Sequence, residues 1–187
     1  MRAVATIDYL ANPADLAAWL GVPENDPKLI QALAAATSRF RGAVRHPVTL
    51  VAGDTVTLDG TGCVSLILPA APVLSVASLE LDGEPLVEGE GFDWSADGFL
   101  RRLGCQVWPG RLRCVVVTYS HGHAQVPDDV AEAVIDQARA MYAVRPGVES
   151  VQVGGQALKF GAQASIGVTA QWSAAVERHR LNRGDRP

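Results

Sequence analysis

The apolar residues of this chain change their spacing twice, and that double change constrains the fold more than any other feature. Up to about Val44 they recur at helical intervals. From Val48 to Ser120 they come in short β-branched runs, and from Pro127 the helical interval returns. In the first part, Asn12 followed by Pro13 predicts a capped helix with Leu16, Trp19 and Leu20 on one face, ended by Gly21. Asp26-Pro27 repeats the signal, and Leu29, Leu33, Phe40 and Val44 mark the buried stripe of a second helix. Arg39, Arg41 and Arg45 fall largely on its other faces, and Pro47 ends it.

The middle part reads as strands VTLV, TVTLD, VSLIL, VLSVASLELD and RCVVVTYS, with a hairpin expected where Leu79 to Leu86 alternates around Asp82-Gly83. Pro127-Asp128-Asp129 then opens a helix whose stripe is Val130, Val134, Ala138 and Met141, running to about Tyr142. Arg145-Pro146-Gly147 breaks it. Two strand-like pieces, 148–153 and 156–160, precede a last helix over 169–181 with Trp172 and Val176 inward and a frayed tail beyond.

The predicted class is therefore α+β: a small helical bundle with an inserted antiparallel β-domain and a C-terminal hairpin plus helix. The expected parts are 1–47, the N-terminal helices; 48–124, the inserted β-domain; and 125–187, the helix completing the helical core, the hairpin and the C-terminal helix and tail. A length of 187 residues, 48% of them hydrophobic, allows one sizeable core and a second smaller one. No run approaches the roughly 18 apolar residues of a membrane helix, and the opening MRAVATIDYL lacks signal-peptide character, so no membrane partner and synthesis in the host cytoplasm are expected. Cys63, Cys105 and Cys114 are odd in number and lack CxxC spacing, which predicts buried, reduced thiols rather than disulfides or a zinc site.

Charge is unevenly placed. From Pro47 to Leu100 there are nine acidic residues and no Lys or Arg, while the basic surplus lies in the flanks. The acids Glu80, Asp82, Glu84, Glu88, Glu90, Asp93 and Asp97 lack a calcium-loop pattern and read as a solvated face that would repel DNA phosphates. Arg178, Arg180, Arg183 and Arg186 make a basic end suited to a helix C-terminus or to an acidic or phosphate-bearing surface.

Chemistry is hard to find in these residues. His121-Gly122-His123 is the nearest thing to a metal site, with His46 as a conceivable third ligand, but a tight loop with solvated histidines is the simpler expectation. No serine stands in a GxSxG elbow, and Gly154-Gly155 belongs to no phosphate-cradling pattern. The expectation is no enzyme, no cofactor and no metal. A small metal-dependent hydrolase using His121 and His123, or a binding module stacking ligands on Trp94 or Trp108, are the rival readings, with core packing favoured for both tryptophans.

Two stretches carry a resemblance. LPAAPVLSVASLELDGEPL (Leu68 to Leu86) and GFLRRLGCQVWPGRLRCVVVTYSHGHAQVPDDVAEAVIDQARAMY (Gly98 to Tyr142) are similar to the head-to-tail connector (adaptor) proteins of long-tailed double-stranded DNA phages, and VESVQVGGQALKFG (Val148 to Gly161) resembles their late hairpin. The resemblance implies a structural virion protein located in the neck. It implies self-association into a ring of about twelve copies under the portal protein, extending the DNA channel and offering a platform to a neck or tail-completion protein. Genome DNA would pass without sequence-specific binding. By position, Trp172, Val176, Arg178, Arg180, Arg183 and Arg186 would correspond to the portal contact. Glu80, Asp82, Glu84, Glu88 and Glu90, with Arg39, Arg41 and Arg45, are candidates for the ring interface or the lumen. Another neck component, a head-completion or stopper protein, shares these features.

Overall fold

The computed structural model describes residues 8–143, 150–153, 156–159 and 169–180. Its elements run α1 (Pro13–Leu20), α2 (Pro27–Val44), β1 (Val51–Leu58), β2 (Ser65–Ile67), β3 (Val73–Leu81), β4 (Glu84–Pro85), β5 (Phe92–Trp94), β6 (Phe99–Arg102), β7 (Val115–His121), α3 (Asp128–Ala143), β8 (Ser150–Val153), β9 (Gln156–Lys159) and α4 (Ala170–His179). The mixed α+β class expected from the sequence is the one observed. The described chain divides into a helical unit, drawn from Met1–Val44 and Val126–Arg180, and a β unit, Arg45–Gln125.

The helical unit is built by local signals. The Asn12 side chain accepts from Ala14 N at 3.0 Å, Pro13 takes the first helical position, and Gly21 closes α1 in the left-handed region at φ 65°. Asp26 Oδ1 accepts from Leu29 N at 2.9 Å at the start of α2. Asp128 and Asp129 place negative charge in the first turn of α3, where the helix dipole favours it. α2 packs on α3, and α4 lies against both. Leu16, Leu29, Leu33, Phe40, Val130 and Val134 are fully buried there, each such large apolar side chain contributing about 1.5–3 kcal/mol.

Trp19 departs from expectation. It does not share the buried face of Leu16 but is 67% exposed, with the Arg139 guanidinium 4.8 Å from its ring centroid. An eight-residue helix has room to bury Leu16 and Ala17, and the indole three positions on is left at the rim, where a cation covers one face.

In the β unit, two sheets enclose the core. The four-stranded sheet has the order β1-β7-β3-β4, the three-stranded sheet β2-β6-β5, and every strand pair is antiparallel. Strict alternation in β7 turns Val115, Val117, Tyr119 and His121 inward, against Leu66, Leu79, Phe92, Leu100 and Trp108. The Asp82-Gly83 turn forms as expected, with both residues at positive φ (56° and 85°) and Leu81 paired with Glu84. VTLV and TVTLD do not make two strands. Only Val51 of the first run joins the second in the single strand β1, with a register shift between Val51 and Asp54, while Thr49 makes an isolated bridge to His123.

Several side chains sit elsewhere than expected. Cys63 and Cys105 are exposed and only Cys114 is buried; the strand after Gly60-Thr61-Gly62 begins at Ser65, so Cys63 belongs to the preceding turn. His121 is not solvated but 1% exposed, because it is the last inward position of β7. Trp108 is fully buried, which removes it as a stacking platform, and Trp94 is half-buried with Nε1 donating to Glu88 Oε1 at 2.8 Å. Within the sequence span of the helical unit, β8 pairs with β9 as a two-stranded hairpin, Ser150 opposite Lys159 and Val153 opposite Gln156. The breaker at Arg145-Pro146-Gly147, the turn at Gly154-Gly155 and the tail after Leu181 lie outside the described residues.

Candidate assembly surfaces

α4 is fastened to the helical unit at both ends. Thr169 Oγ1 caps it by accepting from Trp172 N at 3.1 Å, and the Trp172 indole meets the Phe40 ring edge-on, with centroids 5.2 Å apart and planes at 84°. At the other end, Arg178 Nη1 lies 2.6 Å from Asp129 Oδ2, and His179 Nε2 lies 3.1 Å from the same oxygen. Partial burial works to raise the Asp129 carboxyl, but hydrogen bonds from His179 and Arg178, and the charges beside them, outweigh it and hold the group below the ordinary carboxylate range. Gln171 Nε2 donates to Glu132 at 3.3 Å between these points.

Of the C-terminal candidates, then, Trp172 is buried, Val176 half-buried, and Arg178 and Arg180 exposed, the latter 3.8 Å from Glu177. Arg183 and Arg186 lie outside the described residues.

The acidic candidates share one region of the β unit. Glu80 and Glu84 flank the β3–β4 turn, and Glu88 and Glu90 belong to the next turn, all four exposed. Asp82 is engaged by Arg111 of the same unit. Folding thus brings cations to a stretch that has none, Arg101 standing opposite Asp93 across the β5–β6 pair, and Asp59 Oδ1 accepts from the backbone N–H of Arg113 at 2.8 Å. Residues 45–125 nevertheless hold nine carboxylates against five arginines. Arg39 is exposed on α2, Arg41 reaches Asp8 at 3.2 Å, and Arg45 follows the helix at φ 66°.

The His-Gly-His segment is a close-packed corner. Gly122, at φ 90°, lies so near Thr49 that a β-carbon would collide with the Thr49 carbonyl; Gly122 N donates to Pro72 O and His123 N to Val48 O, each at 2.9 Å. His121 Nε2 lies 3.2 Å from Asp54 Oδ2, and its ring packs 4.8 Å from that of Tyr119. Burial, helped by the Asp54 carboxylate, pushes the Tyr119 phenol up to about 12. His46 Nδ1 donates to the Pro47 carbonyl at 2.7 Å. Among the described residues, no three His, Cys, Asp or Glu side chains gather closely enough to hold a metal ion, and no helix is long and apolar enough to cross a membrane.

Sequence reasoning missed Arg102. It is buried on the inward side of β6, bonded to Gly91 O at 3.0 Å and to Gln106, with its guanidinium 5.4 Å from the Trp108 ring centroid. The available signal was the alternation of Leu100 and Arg102, which share one side of the strand.

No family model and no curated protein matches the sequence. Solved structures do match. A chain in the neck of a native gene transfer agent particle, computed with C12 symmetry, aligns at a TM-score of 0.58 and 25% identity over 98% of this chain and 97% of that one. A chain in the neck of an empty particle, computed with C6 symmetry, gives 0.59 and 23% over 98% and 97%. A chain from the native virion gives 0.59 and 21% over 94% and 92%. The fold of this protein is shared with these neck structures across nearly its whole length, in keeping with the resemblance to head-to-tail connectors read from the sequence.

Proposed function

We infer that this protein is a structural subunit of the neck of a phage-like particle, located in the virion, and that it acts by self-association rather than by catalysis. The observation that carries this reading is the end-to-end likeness to a chain solved within a C12-symmetric neck. The alignment spans 98% of this chain and 97% of that one, so the likeness is not confined to one of the two units.

The finer assignment is an adaptor: a twelve-fold ring beneath the portal that extends the DNA channel and receives the next neck or tail protein. Physical features support it. A closed ring requires two different, complementary surfaces on each copy, and the chain carries a β unit with a surplus of carboxylates and, on α2 of the helical unit, the exposed Arg39. A net negative β unit turned to the lumen would repel phosphates and let DNA slide. α4 and the arginines near it offer the portal contact.

Electron microscopy of the purified protein, with and without the portal protein, tests the assignment. Rings with a central hole, stacked on the portal when it is present, are expected. A protein that remains monomeric beside its portal would overturn it.

A further inference from the structure

We propose that the ring is closed by strand addition, the β8–β9 hairpin of each copy pairing with the open edge of β1 in the next. This rests on the ring reading above and adds to it the contact that joins neighbours.

The argument begins with how the sheet edges are guarded. An exposed edge presents backbone donors and acceptors to any other strand, and proteins blunt such edges with short strands, proline and charge. Three of the four edges of the two larger sheets are blunted in this way. β4 is two residues long, consisting of Glu84 and Pro85, and β2 and β5 have three residues each. β1 differs: it has eight residues, contains neither proline nor lysine, and among the described residues pairs with β7 on one side only. Its bulge protects only the first part, because pairing with β7 runs without a shift from Asp54 to Leu58. Among the described residues, a regular five-residue edge is thus left without a strand beside it.

The same chain contains a strand pair without a sheet. Among the described residues, β8 and β9, four residues each, pair with each other and with no further strand, and a lone two-stranded hairpin is marginally stable in water. Four residues fit the five-residue regular stretch of β1. Charge fits as well. The hairpin strands carry one charged residue, Lys159, whereas β1 and the turn after it carry Asp54 and Asp59 and no cation. Because donor and acceptor are different parts of the chain, each copy receives one strand pair and gives one, which is the head-to-tail contact that closes a ring.

The test uses the full chain with Cys63→Ser and Cys105→Ser, which removes the two exposed thiols. Thr55→Cys or Thr57→Cys on β1 is combined with Gln152→Cys or Ala157→Cys on the hairpin. Each double variant is treated with a short bis-maleimide in the presence of the portal protein. The expected result is a ladder of crosslinked oligomers, whereas mixtures of the single variants stop at dimers joining one β1 variant to one hairpin variant. A full-length protein with Val151–Leu158 replaced by Asn-Gly should fold, by its circular dichroism, and lose the rings. Rings that form without any β1-to-hairpin crosslink, or that survive replacement of the hairpin, overturn strand addition and leave the ring reading intact. Crosslinks from the hairpin to the portal alone do the same. No oligomer under any condition overturns both.

Discussion

Trp172 and Asp129 show how much a single side chain decides here. Trp172 packs on Phe40 from a helix more than 120 positions away in sequence, so Trp172→Ala should cost about 3–5 kcal/mol, read as a lower urea midpoint with α4 detached. Asp129 holds the far end of α4 through Arg178 and His179. Its native carboxyl is more acidic than in the unfolded chain, so its contribution is present above the ordinary carboxylate pKa and disappears as pH falls through the lowered native one. Asp129→Asn should therefore destabilise the protein by about 1 kcal/mol near neutrality, and the difference from wild type should vanish at strongly acid pH in the same denaturation assay. His121 was read from its sequence neighbourhood as solvated, and it is buried. A histidine beside glycine at a strand end looks like a loop residue, and only the continued alternation from Val115 reveals that it faces inward.

At the level of elements, what could be read were the features written in local chemistry: the Asn12-Pro13 and Asp26-Pro27 helix starts, the Asp82-Gly83 turn and the helix opening at Pro127-Asp128. β5 and β6 could not be read, because three or four residues interrupted by Asp93, Arg101 and Arg102 carry too little pattern to stand out from a loop. Cys63 was misplaced for a related reason, since an apolar run does not say at which residue the strand begins. The candidate assembly residues were legible as charge clusters, yet that Arg111 engages Asp82, or that Trp172 is held within the protein itself, depends on long-range packing. The corner at Gly122 gives a prediction of its own. Gly122→Ala meets both a positive φ and the Thr49 carbonyl, and should destabilise the β unit by about 3 kcal/mol. Gly104→Ala, also at positive φ but with open space around it, should cost about 1 kcal/mol in the same chemical denaturation.

For the whole molecule, the proposed assembly role would be divided between the helical unit and the β unit. The first carries α4 and its arginines, the second the acidic turns and the open strand edge. If the basic end meets the portal, truncation after Arg180 should leave thermal unfolding unchanged while weakening co-purification with the portal, since Arg183 and Arg186 are lost and the Trp172 and Asp129 contacts are kept. Truncation after Gln171 is a harsher change, because it uncovers Phe40, and should lower the melting temperature as well. Equal portal binding by the full chain and the Arg180 truncation would exclude a role for those two arginines.

The placement of α4 has a consequence for synthesis. Everything the β unit needs between Arg45 and Gln125 has left the ribosome while translation is still under way, but the layer around Phe40 waits for Trp172. A prematurely terminated product therefore carries a finished β half attached to an apolar wound, the kind of species that chaperones and proteases recognise. Only a polypeptide translated past Trp172 can seal itself.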